Sequence, residues 1–376
     1  MNEATEARLL ALEVLNRIEK NDSYANLALK PALNNSDLEG RDRALVTELV
    51  YGVIRMRRAC DFLIDRYLRK RLQPEVRTIL RLGAYQLHWT KIPNHAAVND
   101  TVALAPKWAR GLCNAVLRKV AEEAIEWPSE AVQLSYPDWI FKRLHKDLGL
   151  SEAKKTLEAM NKPRSAVIRD DGYFQDKAAQ LVGEIFSRKG EWGSEVTIDL
   201  CAAPGGKATA AVANGMNVVA SDSSLSRIKL IRSNALKLGA HLPMVVTDGR
   251  KPAYRRGVAS RVLVDAPCSG LGVLRRRPDA RWRITESDVV ALAELQVDLL
   301  TSAFDLLKPG GLLVYSVCTL TSAETIEVDE KFQNLRAVKP LDLLSEPWRK
   351  HGNGGILFPH DLDSEGMAIF CYESSK

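Results

Sequence analysis

VTIDLCAAPGGKATAAV, residues 196–212, decides the fold class. A short apolar run ends at Asp199-Leu200, a Pro-Gly-Gly turn follows, and a run of small helix-compatible residues begins at once. Strand, glycine turn and helix in that order open a βα unit. The same texture repeats downstream. NVVASD (217–222), LPMVVTD (242–248), RVLVDAP (261–267) and GLLVYSVC (311–318) read as four more strands. SRIKLIRSNALKLG and ESDVVALAELQVDLLTSAFDLL carry helical spacing between them. Alternating strands and helices predict a parallel, doubly wound α/β sheet over 191–376. Ligands of such sheets gather at the carboxyl ends of the strands, where strand order reverses.

Upstream the pattern is different. ARLLALEVLNRI, RALVTELVYGVIRMRRACDFLIDRYL, VRTILRLGAYQLHWT, AAVNDTVALAPKWA and LCNAVLRKVAEEA are apolar at helical spacing, with no strand-like alternation among them. They predict an all-α domain over 1–127. A connecting module follows over 128–190, punctuated by Pro128, Pro137 and Pro163. It reads as helices, one of them over 151–162, and then a strand and a helix within SAVIRDDGYFQDKAAQLVGEIF.

Bulk properties narrow the function classes. Of 376 residues 46% are hydrophobic and 27% charged, and no run of eighteen apolar residues occurs, so a soluble globular protein without a membrane span is expected. MNEATEARLL lacks the basic and apolar regions of a signal peptide, which predicts a cytoplasmic location. A net charge of +6 permits a nucleic-acid partner without requiring one. Cys60, Cys113, Cys201, Cys268, Cys318 and Cys371 show no C-x-x-C spacing, and His88, His95 and His145 show no ligand spacing, so no metal is expected. A monomer is expected.

The glycine turn is neither G-x-G-x-x-G nor a phosphate loop ending in Lys-Ser/Thr. Acids recur at the strand ends instead: Asp222 on the second, Asp248 on the third, Asp265 on the fourth. One acidic rim suits a ribose, an adenine amine and a cationic sulfonium, and would repel a pyrophosphate. Asp222 or Asp248 taken singly is equally a helix cap.

Cys268 lies just past the fourth strand and Cys318 at the end of the fifth. If those strands are neighbours they lie about 4.8 Å apart, and the two thiols would face one pocket from adjacent strand ends. Carbon 5 of cytosine is a poor nucleophile. A thiolate adding to carbon 6 makes carbon 5 enamine-like, after which a methyl group can be taken up and the thiol eliminated. A carboxyl such as that of Asp265 would stabilise protonation of the ring nitrogen. Taken singly, each cysteine is an ordinary buried apolar residue.

Arg275, Arg276, Arg277, Arg281 and Arg283 crowd the segment after Cys268, and Trp282 sits among them. Guanidinium groups suit RNA phosphates and an indole suits base stacking; an ordinary solvated charge run is the alternative. Arg55, Arg57, Arg58, Arg69, Lys70 and Arg71 form a second basic region.

At CAAPGGK (201–207), TDGR (247–250), DAPCSGLGVLRRRPDARW (265–282), YSVC (315–318) and GILFPH (355–360), the sequence resembles the bacterial cytosine-5 RNA methyltransferases of the Sun/Fmu type. LVTELVYGVIRMRRACDFLI, VRTILRLGAYQLHWTKIPNHAAVNDTVALA and CNAVLRKV resemble the NusB-like RNA-binding domain in front of their catalytic domain. The resemblance implies a class I, Rossmann-like methyltransferase domain that uses S-adenosylmethionine. It implies that Cys318 attacks the base and that Cys268 assists proton removal and release. It also implies that Cys201, Ala202, Ala203, Pro204, Gly205, Gly206 and Lys207, with Asp222, Asp248 and Asp265, hold the cofactor and orient the base. Small-subunit ribosomal RNA is the implied substrate. A tRNA substrate is the nearest rival, and a non-catalytic RNA-binding adaptor the rival of another class. Val317 stands where the family has Thr, and Glu324-Thr325 where it has Glu-Asn.

Overall fold

The computed structural model describes residues 3–163, 167–188, 192–193 and 195–374. These form two compact units. The first holds residues 1–142 together with 277–283, and the second holds 143–276 and 284–376. The expected connecting module is therefore divided, its first fifteen residues (128–142) going with the helical unit and the rest with the sheet.

In the helical unit, Glu3–Asn21, Gly40–Arg55, Arg57–Asp65, Pro74–Trp89, Asn94–Leu104 and Arg110–Glu122 are helices whose apolar stripes close on one core. Leu49, Leu63, Ile79, Leu80 and Leu117 are fully enclosed there. Pro74 occupies the first helical turn, where a missing N–H costs nothing. RALVTELVYGVIRMRRACDFLIDRYL holds two helices separated at Met56, and the helix Ala25–Asn34, in a stretch the sequence reading did not single out, precedes them.

The second unit is built on a sheet of nine strands among the described residues. The strands are β1 (Thr197–Asp199), β2 (Val218–Asp222), β3 (Met244–Val246), β4 (Ala259–Asp265), β5 (Leu307–Val317), β6 (Val338–Pro340), β7 (Arg349–His351), β8 (Gly354–Leu357) and β9 (Met367–Ser374). The order is β3-β2-β1-β4-β5-β9-β8-β7, with β6 also paired to β9. The first five strands pair in parallel, as their βα connections require. The order reverses at β1, and β4 stands between β1 and β5.

β5 runs antiparallel to β9, so the parallel sheet continues into an antiparallel half that the sequence reading did not foresee. MAIFCY of β9 is buried almost throughout and shows no alternation, so period alone could not mark it as a strand. The strand expected near 165–169 falls partly outside the described residues. Within them, Ile168 forms only an isolated antiparallel bridge with Phe174. The helix expected over 151–162 runs Leu150–Met160. Among the described residues no helix is long and apolar enough to cross a membrane.

Candidate active site

The register of β4 on β5 sets Asp265 opposite Ser316. Ser316 Oγ donates to Asp265 Oδ1 at 2.7 Å, and Lys207 Nζ donates to Asp265 Oδ2 at 2.6 Å. Lys207 stands at the start of helix Gly206–Ala213, directly after the glycine turn, and is only 8% exposed. Burial works against its charge, but the charge and hydrogen bond of Asp265 outweigh it and its pKa rises.

Behind this pair lies Asp199 at the end of β1, 1% exposed, with neither carboxylate oxygen hydrogen-bonded. Burial first, and the nearby charge of Asp265 second, push its pKa up to about 8.

Just past the same two strand ends, Cys268 Sγ and Cys318 Sγ lie 3.3 Å apart as free thiols. The hydrogen bond to Cys318, then burial, then the charges of Cys318 and Glu324, hold the Cys268 thiol well above its ordinary range. Cys201 is a different case: burial and three neighbouring carboxylates push it up strongly, so it is an inert thiol beside the turn.

The turn itself is built for close approach. Gly205 adopts φ +103°, a conformation L side chains rarely take, and a Cβ there would also crowd Ile231 at 3.2 Å. Ala202 N donates to Ser221 O, and Ala203 N donates to Asp222 Oδ2 at 3.3 Å, tying the turn to the end of β2. Asp222 is 3% exposed and also receives Arg227 Nε at 3.1 Å. Asp248 lies two residues beyond β3, is exposed, and is bound by the backbone and side chain of Arg250.

A cavity of about 150 Å³ opens on Lys207, Asp265, Cys318 and the turn Ala202–Pro204. Its far wall was not foreseen: it is formed by Tyr173, Phe174 and Gln175. These follow an Asp171-Gly172 turn in which Gly172 takes φ +83°, so Asp-Gly was the available signal for a turn here. Arg169 stacks on the Tyr173 ring at 4.9 Å and donates to Gly206 O and to Gln175 Oε1, fastening this wall to the glycine turn.

The expected arginine cluster is not one cluster. Arg275 is buried and bound by the carbonyls of Lys162 and Pro163 and by Asp363. Arg276 is exposed, lines the cavity and pairs with Glu365 at 2.8 Å. Arg277 is exposed. Arg281 is fully buried in the helical unit, 3.9 Å from the centre of the Tyr136 ring, and donates to the carbonyls of Arg55 and Ser135. Trp282 Nε1 donates to Ile54 O, and Arg283 donates to the carbonyls of Asp22 and Ser23. In this structure Arg275 and Arg281 are turned inward, away from any phosphate, because buried carbonyls and an aromatic face take their donors. In the second basic region Arg55 is buried, whereas Arg69, Lys70 and Arg71 are exposed.

The acidic rim and open turn fit S-adenosylmethionine. Asp222 stands at the end of β2, the position from which an acid can hold ribose hydroxyls in sheets of this kind. Lys207 in the turn is committed to Asp265, and beside it Arg169 is paired with Asp171 and Arg227 with Asp222. No group of three or more metal-ligating side chains occurs among the described residues.

Comparison with known proteins gives the family and the fold. Residues 191–371 match the family model described as 16S rRNA methyltransferase RsmB/F, and residues 5–122 match the NusB family. A probable ribosomal RNA small subunit methyltransferase B of Bacillus subtilis is 31% identical, the match covering 97% of this chain and 98% of the relative. The ribosomal RNA small subunit methyltransferase B of Thermus thermophilus is 36% identical over 84% of each chain. The solved structure of PH0851 superimposes with a TM-score of 0.79 over 99% of this chain and 98% of its own, at 20% identity, which speaks to the fold. The chain belongs to the RsmB/F family of ribosomal RNA methyltransferases, and is an S-adenosylmethionine-dependent RNA methyltransferase with a NusB-family region in front.

Proposed function

We propose that this enzyme methylates carbon 5 of a cytosine in small-subunit ribosomal RNA, with Cys318 as the nucleophile. The observation that carries the reading is the pair of free thiols 3.3 Å apart beside the Lys207–Asp265 pair. The names of the relatives support the choice of RNA.

Cys318 Sγ forms a bond to carbon 6 of the base, and the displaced ring electrons need a proton at nitrogen 3. Lys207 and Asp265 hold that proton and orient the base edge. Bound S-adenosylmethionine supplies the methyl group that carbon 5 takes. The carbon 5 proton then passes to the Cys268 sulfur, the ring double bond re-forms, the bond from Cys318 to carbon 6 breaks with its electron pair returning to sulfur, and nitrogen 3 gives its proton back to Asp265. Arg276, Arg277 and the exposed Arg69, Lys70 and Arg71 are the cations we assign to RNA phosphates. Asp222 we assign to the cofactor ribose and Asp248, once freed from Arg250, to the adenine end.

One denaturing gel tests this. Wild type, Cys318→Ala and Cys268→Ala are incubated with RNA and cofactor, and wild type also with RNA carrying 5-fluorocytosine. Cys268→Ala and the fluorinated substrate should each trap a protein–RNA adduct, and Cys318→Ala should trap none. An adduct with Cys318→Ala but none with Cys268→Ala reverses the two roles. No adduct in any lane removes covalent catalysis.

A further inference from the structure

One buried carboxylate outside the reacting groups is bonded to the residues that follow both cysteines. Glu324 is fully enclosed, on the short turn Ser322–Glu324 after β5. Its Oε1 accepts Ser269 N at 2.8 Å and Gln296 Nε2 at 3.2 Å. Its Oε2 accepts the hydroxyls of Ser269, Thr319 and Thr321, the last two at 3.1 Å. Ser269 follows Cys268 directly, and Thr319 follows Cys318 directly. The two hydroxyls also touch each other at 2.9 Å. Tyr315 OH, itself buried, donates to Glu324 O at 2.7 Å and lies 3.0 Å from Gln296 Oε1, which holds the Glu324 backbone from behind.

The backbone runs the same link a second time. Gly272 N donates to Cys318 O at 3.0 Å, and a Cβ on Gly272 would lie 2.3 Å from Gly366 O.

We propose that Glu324 is the positioning residue that sets the two cysteine loops against each other and keeps a buried negative charge beside Cys268. This rests on the reading of Cys318 as nucleophile. The Cys268 thiol is raised by its hydrogen bond to Cys318, by burial and by the charge of Cys318, and the Glu324 charge adds to them.

Glu324→Gln separates charge from shape. The amide oxygen can keep Ser269 N and Gln296, and two of the three hydroxyls can turn to accept from the amide nitrogen. Glu324→Ala serves as the disruptive control, because it strands five buried donors.

The first arm measures alkylation of Cys268 against pH in a Cys318→Ala background, read by peptide mass spectrometry. Glu324→Gln should move the alkylation midpoint to lower pH by about one unit, as expected for loss of one nearby buried charge. The second arm uses the variant with both cysteines present. Glu324→Gln should lower kcat at least tenfold and accumulate the denaturation-resistant adduct, with KM for S-adenosylmethionine within twofold of wild type. A midpoint that stays in place with a normal kcat overturns the proposal, as does a loss of kcat matched by an equal loss of thermal stability. If wild type traps no adduct on fluorinated RNA, the covalent reading fails, and the alkylation arm still decides the role of Glu324.

Discussion

The two ends of the segment that follows β4 make an instructive pair. Asp265 to Arg276 belongs to the sheet unit and lends Asp265 and Arg276 to the cavity. Arg277 to Arg283 belongs to the helical unit, where Asp279 and Arg281 are buried and Trp282 is half-buried. Each unit thus encloses an ionisable group, and they meet opposite fates. Burial lowers the Arg281 pKa to about 10 while the Tyr136 phenol works to hold it up, so Arg281 keeps its charge at neutral pH. Asp199 has no hydrogen-bonded partner for either oxygen, and at about 8 its pKa leaves it protonated at pH 7. What surrounds a buried charge, more than burial itself, decides whether the charge survives.

The comparison can be broken most sharply at the thiols. Cys318→Ala should reduce methylation at least ~1,000-fold while cofactor affinity by calorimetry stays within a few-fold. A strong loss of cofactor affinity instead would put Cys318 in the cofactor site and not against the base.

Arg281→Ala should do the reverse. Lost cation–π contact and two buried carbonyls left without donors predict a loss of about 3 kcal/mol. Thermal unfolding, with hydrogen exchange along Gly40–Arg55, would register it. Near-normal stability would mean that the helical unit does not depend on this segment.

Asp199→Asn tests the sheet side through pH. The folded protein holds this proton to about pH 8, whereas the unfolded chain releases it near its ordinary carboxyl range. Between the two the folded state binds more protons, so stability falls as pH rises, by up to about 1.4 kcal/mol per unit. The Asn variant should lose less stability than wild type between pH 5 and 8 in denaturant titrations. Parallel curves would show that Asp199 is ionised in the fold.

The smallest effect belongs to the exposed arginines. Arg276→Ala with Arg277→Ala should change stability by less than about 1 kcal/mol. RNA affinity should weaken, and its logarithmic salt slope should flatten by about 0.7 per arginine. A salt slope equal to wild type would remove both from the RNA path.

The sequence reading reached the parallel strands and the adjacency of Cys268 and Cys318, because strand-end residues sit next to period and turn signals. It did not reach the fate of each arginine. RRRPDARW looks uniform, and only tertiary partners such as Tyr136 and Asp363 separate the buried Arg281 and Arg275 from the exposed Arg276 and Arg277. Glu324 stood out only as half of a familiar pair, since its five donors come from three separate stretches of chain. Tyr173 and Phe174 were marked only by the turn before them, because a cavity wall has no period of its own.

The helical unit is finished by residues that the ribosome makes last among its parts. At a typical elongation rate, on the order of ten seconds separates the emergence of residue 142 from that of residues 277–283. Through that interval the carbonyls of Arg55, Ser135 and Ile54 and the ring of Tyr136 have no Arg281 or Trp282 to meet them. The nascent front half therefore has an open slot shaped for a peptide of its own chain. Expressed as a fragment, residues 1–142 should be loose and prone to associate, and a supplied peptide covering 277–283 should tighten them.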